Sequence, residues 1–93
     1  MTATEFNNYG FKPNQEVEIM HFVEGLPFTE TYTLTDAIVY PEVDKKHYPS
    51  GETELVPERI GVIEGTKKQR EQNETQFLTE HIYLGKIISI QKV

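Results

Sequence analysis

Residues 16–40 read EVEIMHFVEGLPFTETYTLTDAIVY, and the spacing of their apolar side chains decides the fold. From Glu16 to Glu24 the odd positions are Val17, Ile19, His21 and Val23, while the even positions include Glu16, Glu18 and Glu24. Successive side chains of an extended chain point to opposite faces, so this two-residue period predicts a strand with one face buried. Gly25-Leu26-Pro27 breaks the run. The next stretch puts Phe28, Tyr32, Leu34, Ile38 and Tyr40 on one face. Thr29, Thr31, Thr33 and Thr35 occupy the other, which is expected to meet water. Asp36-Ala37 interrupts the apolar face and predicts a bulge or bend, giving one long curved strand or two shorter ones.

On the N-terminal side the period is different. Thr2-Ala3-Thr4-Glu5 has capping-box spacing, Phe6 and Tyr9 share a helical stripe, and Gly10 stands where a left-handed terminating residue belongs, which predicts a short helix over residues 1–10. Turn chemistry at Lys12-Pro13-Asn14-Gln15 then leads into a β-rich body over 15–93. Residues 41–54 carry Pro41, Pro49, Gly51 and several charges, and are expected to form an exposed loop. Strand character resumes around Ile60, Val62 and Ile63, with Pro57 confined to an entry or edge position. Residues 66–75, TKKQREQNET, contain no apolar side chain and are expected to be exposed, as a hairpin tip or a solvated helical turn. Alternation returns from Gln76 to Leu84. Gly85 marks a bend before a last strand, Lys86 to Val93.

Val, Ile and Thr total 25 residues, against 9 for Leu, Ala and Met, which favours strands over helices. The expected fold is mostly β: one domain, 1–93, with about five or six antiparallel strands in a small barrel or roll of SH3-like type. A two-layer α+β sheet is the alternative. Hydrophobic residues make up 37% of the chain, a lean supply for a core, and self-association is one way to supplement it. There is no cysteine, hence no disulfide, thiolate metal site or thiol nucleophile. No signal core or spanning segment is visible and no membrane association is expected, so a cytoplasmic location is expected. Asn73-Glu74-Thr75 matches a glycosylation acceptor and is read as a chance match.

A net charge of −6 disfavours nonspecific binding to phosphate backbones and to anionic membranes. The histidines, His21, His47 and His81, lie too far apart in sequence to form a metal motif. His21 is expected either bonded to backbone or at the core rim, and His47 as a solvated side chain. Carboxylate pairs at Glu16/Glu18, Glu42/Asp44 and Glu52/Glu54 read as hydrated surface charge. No catalytic or phosphate-binding motif is present, and neither an enzyme nor a cofactor is expected. Lys67, Lys68 and Arg70 form the one dense basic cluster, the basis for a nucleic-acid-binding alternative.

A sheet with apolar residues on both faces must cover the second one. Met20, Phe22, Phe77, His81 and Tyr83 fall on that second face, together with Thr79. Either the N-terminal helix covers them through Phe6, Tyr9 and Phe11, the expectation preferred here, or they form a partner or self-association patch. In size and character, though in no motif, the chain resembles short accessory proteins of phages and other mobile elements, which implies work in a host cytoplasm. The functional expectation is a small acidic protein-binding module, an accessory or inhibitor. A nucleic-acid-binding barrel, an acidic mimic of nucleic acid and a structural subunit are the alternatives.

Overall fold

The computed structural model describes residues 1–72 and 77–93. The glycosylation match at 73–75 and the start of the strand expected from Gln76 lie outside the described residues. The chain is mostly β, with one short N-terminal helix, α1 (Ala3–Asn8), a five-stranded antiparallel sheet and a separate two-stranded ribbon. The large sheet comprises β1 (Glu16–Val23), β2 (Leu26–Tyr40), β5 (Arg59–Glu64), β6 (Thr79–Tyr83) and β7 (Ile87–Lys92), in the order β6-β5-β2-β1-β7. The ribbon pairs β3 (Val43–Lys46) with β4 (Thr53–Val56).

Strands β6 and β7 lie at opposite edges of the sheet, yet only a 3-10 turn, Leu84–Lys86, joins them. A flat five-stranded sheet would hold its edges about 19 Å apart, four inter-strand spacings. Three residues of 3-10 helix rise only about 6 Å. The sheet is therefore coiled so that its edges approach at this corner. The concave face encloses the core, with Val17 and Ile19 from β1, Tyr32 and Leu34 from β2, Ile60 and Val62 from β5, and Ile82, Ile87 and Ile90 from the edges.

The capping box of α1 forms as expected: Thr2 Oγ1 accepts from the Glu5 amide at 3.1 Å, and the Glu5 carboxylate accepts from the Thr2 amide at 3.4 Å. The helix does not cover the outer face of the sheet. Phe6 drops into the main core and the Met1 ammonium donates to the carbonyls of Leu84 and Ile87. The helix thus seals the interior and leaves the outer aromatics without a cover from it.

Strand β2 runs unbroken for 15 residues, but its pairing with β5 slips between Leu34 and Val39. Ala37, at φ 54°, makes the slip, and the Asp36 carboxylate accepts from the Ile38 amide and the Tyr40 hydroxyl beside it. Thr35 to Ile38 stand against Gly61 alone, an excess of three residues on β2, and an odd excess reverses the faces. Val39 packs against the core in place of Ile38, which is exposed, and Thr33 on the other face is buried by later chain.

Residues 41–54, expected to be an exposed loop, are exposed but paired. Val43 to Lys46 and Thr53 to Val56 close on each other through backbone bonds, without joining the core. Within 66–75, residues Lys67–Gln72 form a helix, α2. Its start is a second capping box: the Gln69 amide donates to Thr66 Oγ1 and the Thr66 amide to Gln69 Oε1.

The turn between β1 and β2 is two residues long, Glu24-Gly25, and both have positive φ, 51° and 80°. That is the backbone of a type I′ hairpin, in which Glu is a poor first residue and Asn a good one. Glu24→Asn is expected to raise stability by about 0.5–1 kcal/mol through this local strain alone. Urea unfolding at unchanged m-value measures it, and no gain would contradict the assignment.

Candidate binding surface

The two-residue turn places Val23 opposite Leu26, Phe22 opposite Pro27 and His21 opposite Phe28. The pairing of β1 with β7 ends at His21 and Ile87, so the hairpin tip extends beyond the five-stranded sheet. Its apolar side chains are accordingly exposed on both faces: Phe22, Val23 and Phe28 by more than two-fifths, and Leu26 by 71%. Four large apolar side chains thus stand exposed beside one two-residue turn.

Because the sheet is coiled, this tip stands across a cleft of about 390 Å³ from β6. Phe22 and Val23 form one wall, and Ile82 and Tyr83 the other. Glu24, Glu80 and Lys86 supply charge, and His21 and His81 complete the lining. Of the side chains singled out in the sequence, Phe22, His81 and Tyr83 therefore converge. Met20 lies one step along the same face of β1, opposite Thr29 and Ser89, and is partly exposed. Phe77 does not join them. It borders a separate concavity with Glu30, Glu64 and Gln69.

On the outer face, His81 stands opposite Gly61 and packs its ring edge-on against Tyr40, centroids 5.6 Å apart. A Cβ at Gly61 would lie 2.6 Å from Thr35 Oγ1, so any larger residue there would have to displace the Thr35 hydroxyl. Arg59 lies over the Tyr40 ring and Lys86 over that of Tyr83, at 5.6 and 5.8 Å.

Inside the cleft, His21 is 8% exposed and its Nε2 is hydrogen-bonded to the Tyr32 hydroxyl at 2.9 Å. Burial lowers the His21 pKa, with Glu30 opposing the shift and Lys86 adding to it. The Tyr32 phenol is pushed up by burial and then by the Glu30 carboxylate. Glu80 is also raised, first by burial and then by the charges of Glu64 and Glu30. Glu80, in the lining of this cleft, thus feels two carboxylates far away in sequence, Glu30 and Glu64, which border the neighbouring concavity. Among the described residues no group of acids and histidines has the arrangement of a metal site.

The basic segment is arranged differently. Arg70 Nη1 donates to Thr33 Oγ1 and to the carbonyls of Glu64 and Gly65, at 2.9 to 3.1 Å, so its guanidinium ties α2 to the end of β5. Lys67 faces Glu71 at 3.9 Å, and its amide donates to Glu16 Oε1. Lys68 is exposed. His47, on the ribbon, is not merely solvated: its Nε2 lies 2.7 Å from a Glu54 oxygen.

Comparison with family models, with curated proteins and with solved structures finds no match. Geometry alone carries the reading of the surface.

Two outcomes follow from these contacts. Arg70→Ala is expected to cost about 1–3 kcal/mol by removing three part-buried hydrogen bonds that tie α2 to the sheet, whereas Lys68→Ala changes stability by less than about 0.5 kcal/mol; thermal or urea unfolding of both variants compares them. His21, neutral in the folded state below its ordinary value of 6.5, takes up a proton more readily when unfolded. Stability therefore falls as pH drops through 6.5 and levels off below the folded pKa. His21→Gln should remove this dependence, and urea midpoints taken between neutral and mildly acidic pH show whether it does.

Proposed function

We propose that this chain is a non-catalytic protein-binding module, an accessory or inhibitor, built on a rolled sheet of SH3-like type. Strand order β6-β5-β2-β1-β7 with a 3-10 turn between the edge strands supports the roll. The observation that carries the function is the β1–β2 tip, where Phe22, Val23, Leu26 and Phe28 are held exposed on a turn that leaves them little freedom. Ordering such a surface on binding costs little entropy, and each apolar side chain buried against a partner contributes about 1–2 kcal/mol. The basic cluster supports a nucleic-acid reading less well, since Arg70 is engaged with backbone and Lys67 faces an acid.

The test compares affinity capture from a lysate of the source organism by the wild-type chain, a Leu26→Asp/Phe28→Ser variant and a Lys67→Glu/Lys68→Glu variant. The tip variant should lose at least about tenfold of any saturable capture while unfolding normally in urea, and the lysine variant should retain it. Equal capture by wild type and tip variant would refute the proposal.

A further inference from the structure

The two edges of the coiled sheet are not equivalent. Edge β7 is flanked by Lys86 and Lys92, and its pairing with β1 is bulged between Met20 and His21, both of which discourage a further strand. Edge β6, TEHIY, has no lysine, no proline and no register shift against β5. The bonds from the Glu64 amide to the Leu78 carbonyl and from the Leu84 amide to the Glu58 carbonyl fix the ladder phase. In an antiparallel pair bonded residues alternate, so Glu80 and Ile82 turn their backbone groups toward β5. Thr79 and His81, and the amide of Tyr83, turn theirs to the open side. Among the described residues no strand pairs with that side.

This open edge borders the same cleft as the hairpin tip, and the charges beside it are unbalanced. Glu80, Glu30 and Glu64 act on one another, and no described cation forms an ion pair with any of them. Glu24 adds a fourth carboxylate at the rim, against Lys86 as the cation of the lining. The apolar side chains of the two walls, Phe22 and Val23 on one and Ile82 on the other, share the lining with Glu24 and Glu80.

We infer that β6 accepts an extended segment of a partner protein as an added strand, with a lysine or arginine side chain facing Glu80 and an apolar one, two residues away, between Ile82 and Val23. Main-chain bonds to Thr79 and His81 hold such a strand, alternate side chains select it, and the carboxylates favour a cationic residue over a neutral or acidic one. Glu80, whose charged form is disfavoured by burial and by its acidic neighbours, gains most from the cation. This inference rests on the protein-binding reading and adds to it the conformation and charge of what is bound.

The probe is a set of capped, fluorescein-labelled eight-residue peptides alternating Thr and Val, with one central Val replaced by Arg, Gln or Glu, titrated into the full chain and followed by anisotropy. The Arg peptide should bind about tenfold or more tighter than the Glu peptide, and more weakly as salt is raised. N-methylation of alternate peptide amides, which blocks one edge, should abolish binding. Glu80→Gln should cut the preference for Arg over Gln to about threefold or less. His81→Pro, which removes an outward amide and leaves the ladder to β5 intact, should eliminate binding, with urea unfolding showing that the fold survives.

Equal affinity for Arg and Glu peptides, binding indifferent to N-methylation, or no binding at millimolar peptide would overturn the inference. So would a wild-type dimer in sedimentation that His81→Pro makes monomeric, since a second copy would then occupy the edge. If the peptides fail while the tip variant still loses capture from lysate, the added strand alone is wrong. If the tip variant captures like wild type, the broader reading has failed first.

Discussion

The link of three residues between strands at opposite edges of a sheet is the constraint from which the rest of this molecule follows. It obliges the sheet to curl, and curling gives one enclosed face and one exposed face. The enclosed face collects the isoleucines and valines of five strands around Tyr32 and Leu34, with Phe6 of α1 inserted among them. The same curvature carries the end of β6 toward the far end of β1, although 57 residues or more separate them in sequence. A flat sheet of identical strand order would have no cleft there.

Polar groups within this small interior are few and individually accounted for. His21 and Tyr32 satisfy each other, and Thr33 is joined to Gly65 and Arg70; among the described residues no buried side-chain nitrogen or oxygen is without a partner. That economy suits a chain with little apolar material, because an unpaired buried polar group would cost a large part of its stability. The carboxylates beside the cleft are the contrast. Glu80, Glu64 and Glu30 act on one another without a compensating cation among the described ion pairs, and this repulsion, with burial, disfavours the charged form of Glu80.

Where burial imposes a period, the sequence is easy to read. Val17, Ile19 and His21 announce β1, and the Thr2–Glu5 spacing announces α1, because each pattern is enforced by a contact within a few residues. Asp36-Ala37 announces the bulge in β2 but not how many residues it takes in, and it is the odd excess that turns Ile38 to the other face. The ribbon escaped because neither strand buries a face, so its side chains obey no alternation that would reveal pairing. Helix α2 has no apolar stripe either; Thr66 and Gln69 held the available clue, and the grip of Arg70 on Thr33 is tertiary. Phe22, His81 and Tyr83 could be chosen singly as exposed apolar or aromatic positions. Their meeting in one cleft, and the company of Glu30, Glu64 and Glu80, depends on curvature that no local stretch encodes.

The β3–β4 ribbon closes on its own backbone bonds, contributes no side chain to the core, and hangs between Pro41 and Pro57. Its length and composition are consequently uncoupled from the folding of everything else. Such an appendage can be lengthened, shortened or replaced by foreign sequence while the body of the molecule stays as it is, which makes it the natural place for an experimenter to graft a label.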